Sequence, residues 1–115
     1  MLEILNQKDV ITVEAYNKES NRFNKTDYIV ISRDEYNRVT KQCLACRIVY
    51  TDESKPFLVP IEVSGLRRNG KTNTLNIHMM KQYNPDATHS VVGKISDKEF
   101  MKIAQGVTLN FNFPL

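Results

Sequence analysis

The fold of this chain is decided by one stretch near its end, ISDKEFMKIAQGV at residues 95–107. Ser96 and Glu99 form an S-x-x-E capping box, in which each side chain hydrogen-bonds a free backbone N–H at a helix start. Apolar residues then follow at i, i+3, i+4 and i+7: Phe100, Ile103, Ala104 and Val107. This spacing predicts an amphipathic helix whose apolar face covers a sheet or barrel.

The residues before this helix have the pattern of short strands separated by polar turns. Strands are predicted at residues 9–16, 27–32, 42–50, 57–63, 74–80 and 89–95. Residues 34–41 are a turn or short helix, 17–26 and 65–73 are surface loops, and the alternating tail 107–113 is compatible with an extra strand. Pro60 has no N–H for a central ladder, so its strand lies at an edge or carries a bulge. We expect a mainly β fold, a small SH3-like or OB-like barrel with a C-terminal helix.

Length and composition place the chain among ordinary globular domains. Its 115 residues predict one domain, residues 1–115, with 41% hydrophobic and 25% charged residues. The formal net charge of +3 permits an anionic partner without requiring one. The sequence shows neither a signal peptide nor an apolar run of membrane-spanning length, so we expect a cytoplasmic protein.

The two cysteines form a C-x-x-C motif but do not predict a metal site. Cys43 and Cys46 lie inside an apolar strand, where residues three apart point to opposite faces. A zinc site needs four ligands, and no second pair follows at a suitable spacing. We therefore expect two ordinary thiols, no metal and no cofactor. No phosphate loop, zinc-protease or serine-hydrolase signature is present either.

Positive side chains concentrate in the two loops. One loop carries Lys18, Arg22 and Lys25, and the other carries Arg67, Arg68 and Lys71. Loops at one end of a barrel can form a basic groove for single-stranded nucleic acid, with aromatic side chains available to stack on bases: Tyr16, Phe23 or Tyr83. The alternative is that these are plain solvated loops.

The order of these segments resembles the MazF/PemK toxin family of bacterial toxin–antitoxin systems. The matching pieces are KDVI at residues 8–11, YIVIS at 28–32, the strand ending in Ser-Gly at 56–65, HMMK at 78–81 and ISDKE at 95–99. The resemblance covers residues 8 to 107 and depends on the order of these segments together with the spacing between them.

The resemblance implies the SH3-like barrel that this family shares with the gyrase poison CcdB. It implies metal-independent, sequence-specific cleavage of single-stranded RNA by attack of a ribose 2′-OH on the neighbouring phosphate. It also implies a homodimer that is silenced by a small acidic antitoxin, which inserts an extended segment into the basic groove.

The family's Arg-Pro pair before the second strand aligns with Thr26 and Asp27. Lys25 is adjacent, and Arg22 lies upstream in the same loop. Arg22 or Lys25 would therefore contact the phosphate in place of the missing arginine.

The family's other site residues also align with particular positions of this chain. The catalytic threonine falls near Val49, two residues before Thr51 and so on the same strand face. His78 falls near the acid–base aspartate of the Kid/PemK branch, and Lys81 takes the place of a binding arginine. A histidine at that place could move a proton near neutral pH, although a lone exposed histidine is more often incidental.

The basic loops and the resemblance together give two sets of candidate site residues. The catalytic candidates are Arg22, Lys25, Thr51 and His78. The RNA-binding candidates are Lys18, Thr26, Arg67, Arg68, Lys71 and Lys81. The alternative function is a non-catalytic toxin on the same barrel, either a CcdB-like gyrase poison or an RNA-binding protein; a housekeeping barrel is a third possibility.

Overall fold

The computed structural model describes residues 4–66, 68–82 and 87–111. The elements in chain order are β1 (Asp9–Asn17), β2 (Arg22–Val30), α1 (Asp34–Thr40), β3 (Gln42–Val49), β4 (Leu58–Ile61), β5 (Gly70–Lys81), β6 (Ala87–Lys94) and α2 (Asp97–Leu109). All strands pair antiparallel in one sheet of order β4-β5-β3-β2-β1-β6. The mainly β fold with a C-terminal helix is therefore confirmed. None of the helices in the described residues has the length and apolarity needed to cross a membrane.

Two glycines allow the sheet to curl into a barrel. The segment after β4 packs against β6, although β4 and β6 lie at opposite ends of the sheet order. A Cβ atom on Gly65 would lie 1.8 Å from the Val92 carbonyl oxygen, and one on Gly93 would lie 2.4 Å from a Val63 methyl carbon. Only glycine permits an approach this close, so these two residues lie where the two ends of the sheet meet and close the barrel.

The C-terminal helix α2 begins with the predicted capping box. The Ser96 hydroxyl accepts from the Glu99 N–H at 3.2 Å, and Glu99 Oε1 accepts from the Ser96 N–H at 3.2 Å. Ile103 is fully buried in the main core cluster with Val10 and Ile29, and Phe100 packs against the same cluster. The apolar face of α2 thus covers the inside of the curled sheet.

A second, smaller apolar cluster lies on the other face of the sheet and includes Leu5, Ile11 and Cys43. Cys46 belongs to the main cluster, so the two cysteines point to opposite faces as predicted. Both are free, and burial raises the pKa of Cys43 to about 11 and that of Cys46 to about 12. Neither thiol is therefore ionised near neutral pH.

Strand boundaries differ from the sequence predictions in two places because cross-strand pairing extends them. Strand β2 starts at Arg22, which pairs with Asn17, so the predicted loop 17–26 shrinks to a short turn. Strand β5 starts at Gly70, which pairs with Ile61. Pro60 lies on the edge strand β4, where its missing N–H costs no central ladder bond, as predicted.

The predicted extra strand in the tail is wrong over the part that the structure describes. Helix α2 continues through residues 107–109 because Thr108 and its neighbours keep helical hydrogen bonding, and Thr108 Oγ1 donates to the Ala104 carbonyl at 2.8 Å. Residues 112–113 of that prediction lie outside the described residues.

Candidate functional site

A cleft of about 560 Å³ opens where the β1–β2 ribbon meets the end of β3 and the connection between β4 and β5. Polar, charged and apolar residues line it: Thr12, Lys25, Asp27, Tyr50, Gly65, Leu66 and Arg68. Four separate segments of the chain contribute to it, so its residues are far apart in sequence.

The Asp27 carboxylate holds the polar side chains of this cleft together. Thr12 Oγ1 donates to Asp27 Oδ1 at 2.6 Å, and the Tyr50 hydroxyl donates to Asp27 Oδ2 at 2.6 Å. Thr12 lies directly opposite Asp27 in the β1–β2 pairing. Two hydroxyl donors therefore fix both carboxylate oxygens, and the carboxylate keeps lone pairs for a further donor.

Lys25 belongs to the same site because side chains alternate between the two faces of β2. It precedes Asp27 by two residues in β2, so both side chains leave the same face of the strand. Lys25 is exposed and lines the cleft.

Arg68 packs against Tyr50 at the mouth of the cleft. Its guanidinium carbon lies 5.0 Å from the centre of the Tyr50 ring, which is a cation–π distance. Burial raises the pKa of Tyr50, the hydrogen bond to Asp27 and the charge of that carboxylate raise it further, and the positive charge of Arg68 opposes them. Tyr50 thus stays protonated and serves as a hydrogen-bond donor, while Arg68 stays exposed to an incoming anion.

A smaller depression of about 360 Å³ adjoins the cleft and shares Tyr50 and Arg68 with it. Thr51 lines this depression, and its Oγ1 accepts from the Glu53 N–H at 3.1 Å. Lys71 Nζ donates to the Glu53 carbonyl and holds the same turn. Thr51 and Lys71 are therefore close to the cleft without lining it.

The arrangement suits a phosphodiester. Two cationic side chains, Lys25 and Arg68, lie around a carboxylate whose geometry is fixed by Thr12 and Tyr50. Positive charge can stabilise the negative charge that develops on phosphorus oxygens, and a carboxylate can accept a proton. Within the described residues, no group of three or more His, Cys, Asp or Glu side chains could hold a metal ion.

Several predicted site residues lie on the β1–β2 ribbon but outside the cleft. Arg22 starts β2 opposite Asn17 and is exposed, and Lys18 lies in the adjoining turn. Thr26 pairs with Val13, and its side chain leaves the strand face opposite to that of Lys25 and Asp27. The Arg22 side chain leaves the same face of β2 as Thr26, and therefore the face opposite to Lys25. This corrects the expectation that either Arg22 or Lys25 contacts the same phosphate.

His78 lies on the other face of the sheet from the cleft. Its ring centre is 5.4 Å from that of Tyr28 in an edge-to-face contact, and Tyr28 packs against the second apolar cluster. Tyr28 follows Asp27 in β2, so the two side chains point to opposite faces. Within one chain His78 therefore does not join Lys25 and Thr51 in one site, contrary to the sequence expectation.

Lys81 also lies away from the cleft, at the end of β5. It lines a hollow of about 290 Å³ together with Leu5, Met80 and His89. Arg67 lies outside the described residues.

Sequence reasoning missed Thr12, Asp27 and Tyr50 as members of one site. From the sequence, Asp27 is only the residue aligned with the family's proline, and Tyr50 is only the last residue of a predicted strand. Thr12 shares its strand face with Val10, Glu14 and Tyr16, so its position carries no local signal of a site. These three residues come together only through the register in which the strands pair, and no local sequence pattern gives that register.

Comparison with known proteins supports the fold and the family. The MazF of a MazE–MazF complex from Deinococcus radiodurans matches with a TM-score of 0.74 and 13% identity, over 97% of this chain and 99% of the other. An endoribonuclease in complex with its cognate antitoxin from a mycobacterial species matches with a TM-score of 0.69 and 18% identity, over 96% and 99%. The Mycobacterium tuberculosis toxin MazF-mt6 matches with a TM-score of 0.66 and 12% identity, over 90% and 99%.

A search of curated protein sequences finds no significant match. The family model for PemK-like, MazF-like toxins of type II toxin–antitoxin systems matches residues 6–111, which is nearly the whole chain. On this match the chain belongs to the PemK-like, MazF-like toxin family of type II toxin–antitoxin systems.

Proposed function

We propose that this chain is an active toxin that cleaves single-stranded RNA without a metal ion, as a cytoplasmic homodimer. The observation that carries the proposal is the cleft in which Lys25 and Arg68 flank the hydrogen-bonded carboxylate of Asp27. Charge stabilisation and proton transfer, the two requirements of RNA cleavage by a 2′-OH, meet there.

Each charged group of the cleft has a role in the proposed reaction. Arg68 and Lys25 bind the scissile phosphate and stabilise the charge that builds on its oxygens. Asp27 takes the proton of the 2′-OH as the new bond from the 2′-oxygen to phosphorus forms. The bond from phosphorus to the 5′-oxygen breaks, and Lys25 gives that oxygen a proton. The products are a 2′,3′-cyclic phosphate and a 5′-hydroxyl.

Thr12 and Tyr50 position the base in this scheme. Each donates a hydrogen bond of 2.6 Å to one oxygen of Asp27. Thr51 lies beside Arg68 in the adjoining depression, where it can orient the substrate. Lys18, Arg22 and Lys71 remain candidates for binding the RNA backbone farther along the strand.

A small acidic antitoxin is the expected partner. Two of the similar solved structures are complexes, one described as MazE–MazF and one as an endoribonuclease with its cognate antitoxin. The exposed cations Lys18, Arg22, Lys25 and Arg68 would attract an acidic, extended segment, which could occupy the same cleft as RNA.

One observation favours a second candidate, a non-catalytic binding toxin such as a CcdB-like gyrase poison or an RNA-binding protein. Thr26 and Asp27 stand where the family has its Arg-Pro pair, so the charge at that position is reversed. A carboxylate held by two hydroxyls could serve only to shape the cleft.

The test is incubation of purified protein with a long single-stranded RNA in EDTA, followed by mapping of the fragment ends. We expect discrete fragments with 2′,3′-cyclic phosphate and 5′-hydroxyl ends. A mock purification from cells that do not express the protein, carried through the same steps, is the control for contaminating ribonuclease. Intact RNA with a demonstrably folded protein would favour the binding toxin instead.

A further inference from the structure

Two aromatic side chains lie near the tip of the β1–β2 ribbon without belonging to either described core cluster. Tyr16 and Phe23 are directly opposite each other, with ring centres 5.2 Å apart and ring planes at 56°. Phe23 is 66% exposed and Tyr16 is 41% exposed. A cross-strand aromatic contact stabilises a hairpin modestly, but it leaves most of the Phe23 ring in water.

This pair lies on the same face of the ribbon as the cleft. Phe23, Lys25 and Asp27 alternate along β2 and so share one face. Their direct partners on β1 are Tyr16, Glu14 and Thr12. Asp27 is four residues from Phe23, so the aromatic pair lies about 13 Å from the carboxylate along the strand.

We propose that Tyr16 and Phe23 form a stacking platform for a base of the single-stranded RNA whose phosphate occupies the cleft. This inference rests on the proposed function and adds a binding subsite to it. The flat faces of aromatic side chains stack on nucleobases and tolerate any base, which suits a contact that holds the strand rather than the sequence.

The charges around the platform favour a nucleic acid over an apolar peptide. Lys25 lies between the platform and Asp27, opposite Glu14, and Lys18 lies in the adjoining turn. A polyanionic backbone that runs from the cleft along the ribbon would pass these cations while one of its bases reaches Phe23.

A fluorescent reporter tests the contact directly. The chain has no tryptophan, so Phe23→Trp introduces a single indole at the platform. The probe is a single-stranded oligodeoxynucleotide, which lacks the 2′-OH and cannot be cleaved by this chemistry. We expect quenching of Trp fluorescence on binding, because a base stacks on the ring. Phe111→Trp is the matched control, since Phe111 is 67% exposed but follows α2, and we expect no quenching there.

Two further variants separate stacking from hairpin stability. Phe23→Ala and Phe23→Leu should both weaken oligonucleotide binding, by about 5- to 100-fold, because neither can stack. Leucine keeps apolar contact with Tyr16, so a purely structural role predicts that Phe23→Leu restores binding. Thermal unfolding of both variants, measured alongside, reports any loss of the hairpin.

The outcomes distinguish this inference from the proposed function. Quenching without any RNA cleavage supports the platform and contradicts the nuclease. Normal RNA cleavage with unchanged binding in Phe23→Ala, or oligonucleotide binding without quenching at position 23, overturns the platform alone. An oligodeoxynucleotide that does not bind the wild-type protein overturns the platform, whereas RNA cleavage in EDTA decides the nuclease separately.

Discussion

Asp27 and Tyr28 are neighbours on β2, yet they belong to two different environments. Asp27 faces the cleft, where hydroxyl donors and cations converge on its carboxylate. Tyr28 faces the other side, where its ring packs against the second apolar cluster and the edge of His78. The face that carries Asp27 thus presents a polar, charged cleft beside the main apolar core, and the opposite face packs against the second apolar cluster.

The difference shows why alignment by spacing alone does not say which face of a strand a residue occupies. A shift of one position moves a side chain to the opposite face. His78 has a suitable chemical group and a suitable place along the chain, but it is on the Tyr28 side. Asp27 carries the polar contacts of the cleft, although it was not among the predicted site residues.

The largest effect is expected for Asp27→Asn, which keeps the shape of the side chain and removes its charge. If Asp27 accepts the 2′-OH proton, cleavage should fall by about 10²- to 10⁴-fold. Initial rates on a short RNA in EDTA measure this, with circular dichroism to confirm folding. Cleavage at the wild-type rate would show that Asp27 is only a structural member of the cleft.

Arg68→Ala should lower cleavage by about 10²- to 10³-fold, because it removes one positively charged donor from the phosphate. Arg68 is exposed, so the melting temperature should change little. Arg68→Lys is the matched control and should retain part of the activity, since it keeps the charge but loses the planar guanidinium. An alanine variant with full activity would contradict the assignment of Arg68.

Glu99→Gln tests how much the Glu99 carboxylate stabilises the start of α2, which packs on the sheet face that carries Asp27. Burial alone would raise the pKa of Glu99, but hydrogen bonds from the Glu62 and Ser96 N–H groups and from the Ser96 hydroxyl outweigh it and leave the pKa lowered. At neutral pH the variant should lose about 0.5 to 1 kcal/mol of the free energy of unfolding.

The same lowered pKa fixes the pH dependence of that loss. The stabilisation by Glu99 is fully present above its ordinary pKa and disappears as the pH falls through the lowered pKa. Denaturant unfolding of both proteins at neutral and at acidic pH should show the two curves converging in acid. A constant difference at all pH values would exclude the carboxylate as the source.

The smallest effect is expected on the other face. His78→Ala should leave RNA cleavage within about twofold of wild type, as for an ordinary surface substitution. The contact with Tyr28 is the main loss, and a slightly lower melting temperature should report it. A large drop in cleavage at unchanged stability would restore the sequence-based assignment of His78.

Local patterns in the sequence predicted much of the fold. The capping box at Ser96 and the apolar spacing through Ile103 identified α2, and Pro60 identified an edge strand. These features depend on residues close together in the chain, where hydrogen bonding and side-chain period act directly.

The cleft could not be predicted in the same way. Thr12, Asp27, Tyr50 and Arg68 come from separate segments, and only the pairing register brings them together. The extension of β2 back to Arg22 has the same origin, because the mostly polar residues at 22–26 are ordered by their partners on β1 rather than by their own preferences.

The two buried thiols provide a separate chemical probe of local opening on each face of the sheet. Cys43 belongs to one apolar cluster and Cys46 to the other, and neither thiol ionises near neutral pH while folded. An alkylating reagent can therefore modify them only when the surrounding structure opens. Equal labelling rates at the two positions would mean that both faces open as one cooperative unit, whereas faster labelling of Cys43 would mean that the Tyr28 side opens while the cleft side stays closed.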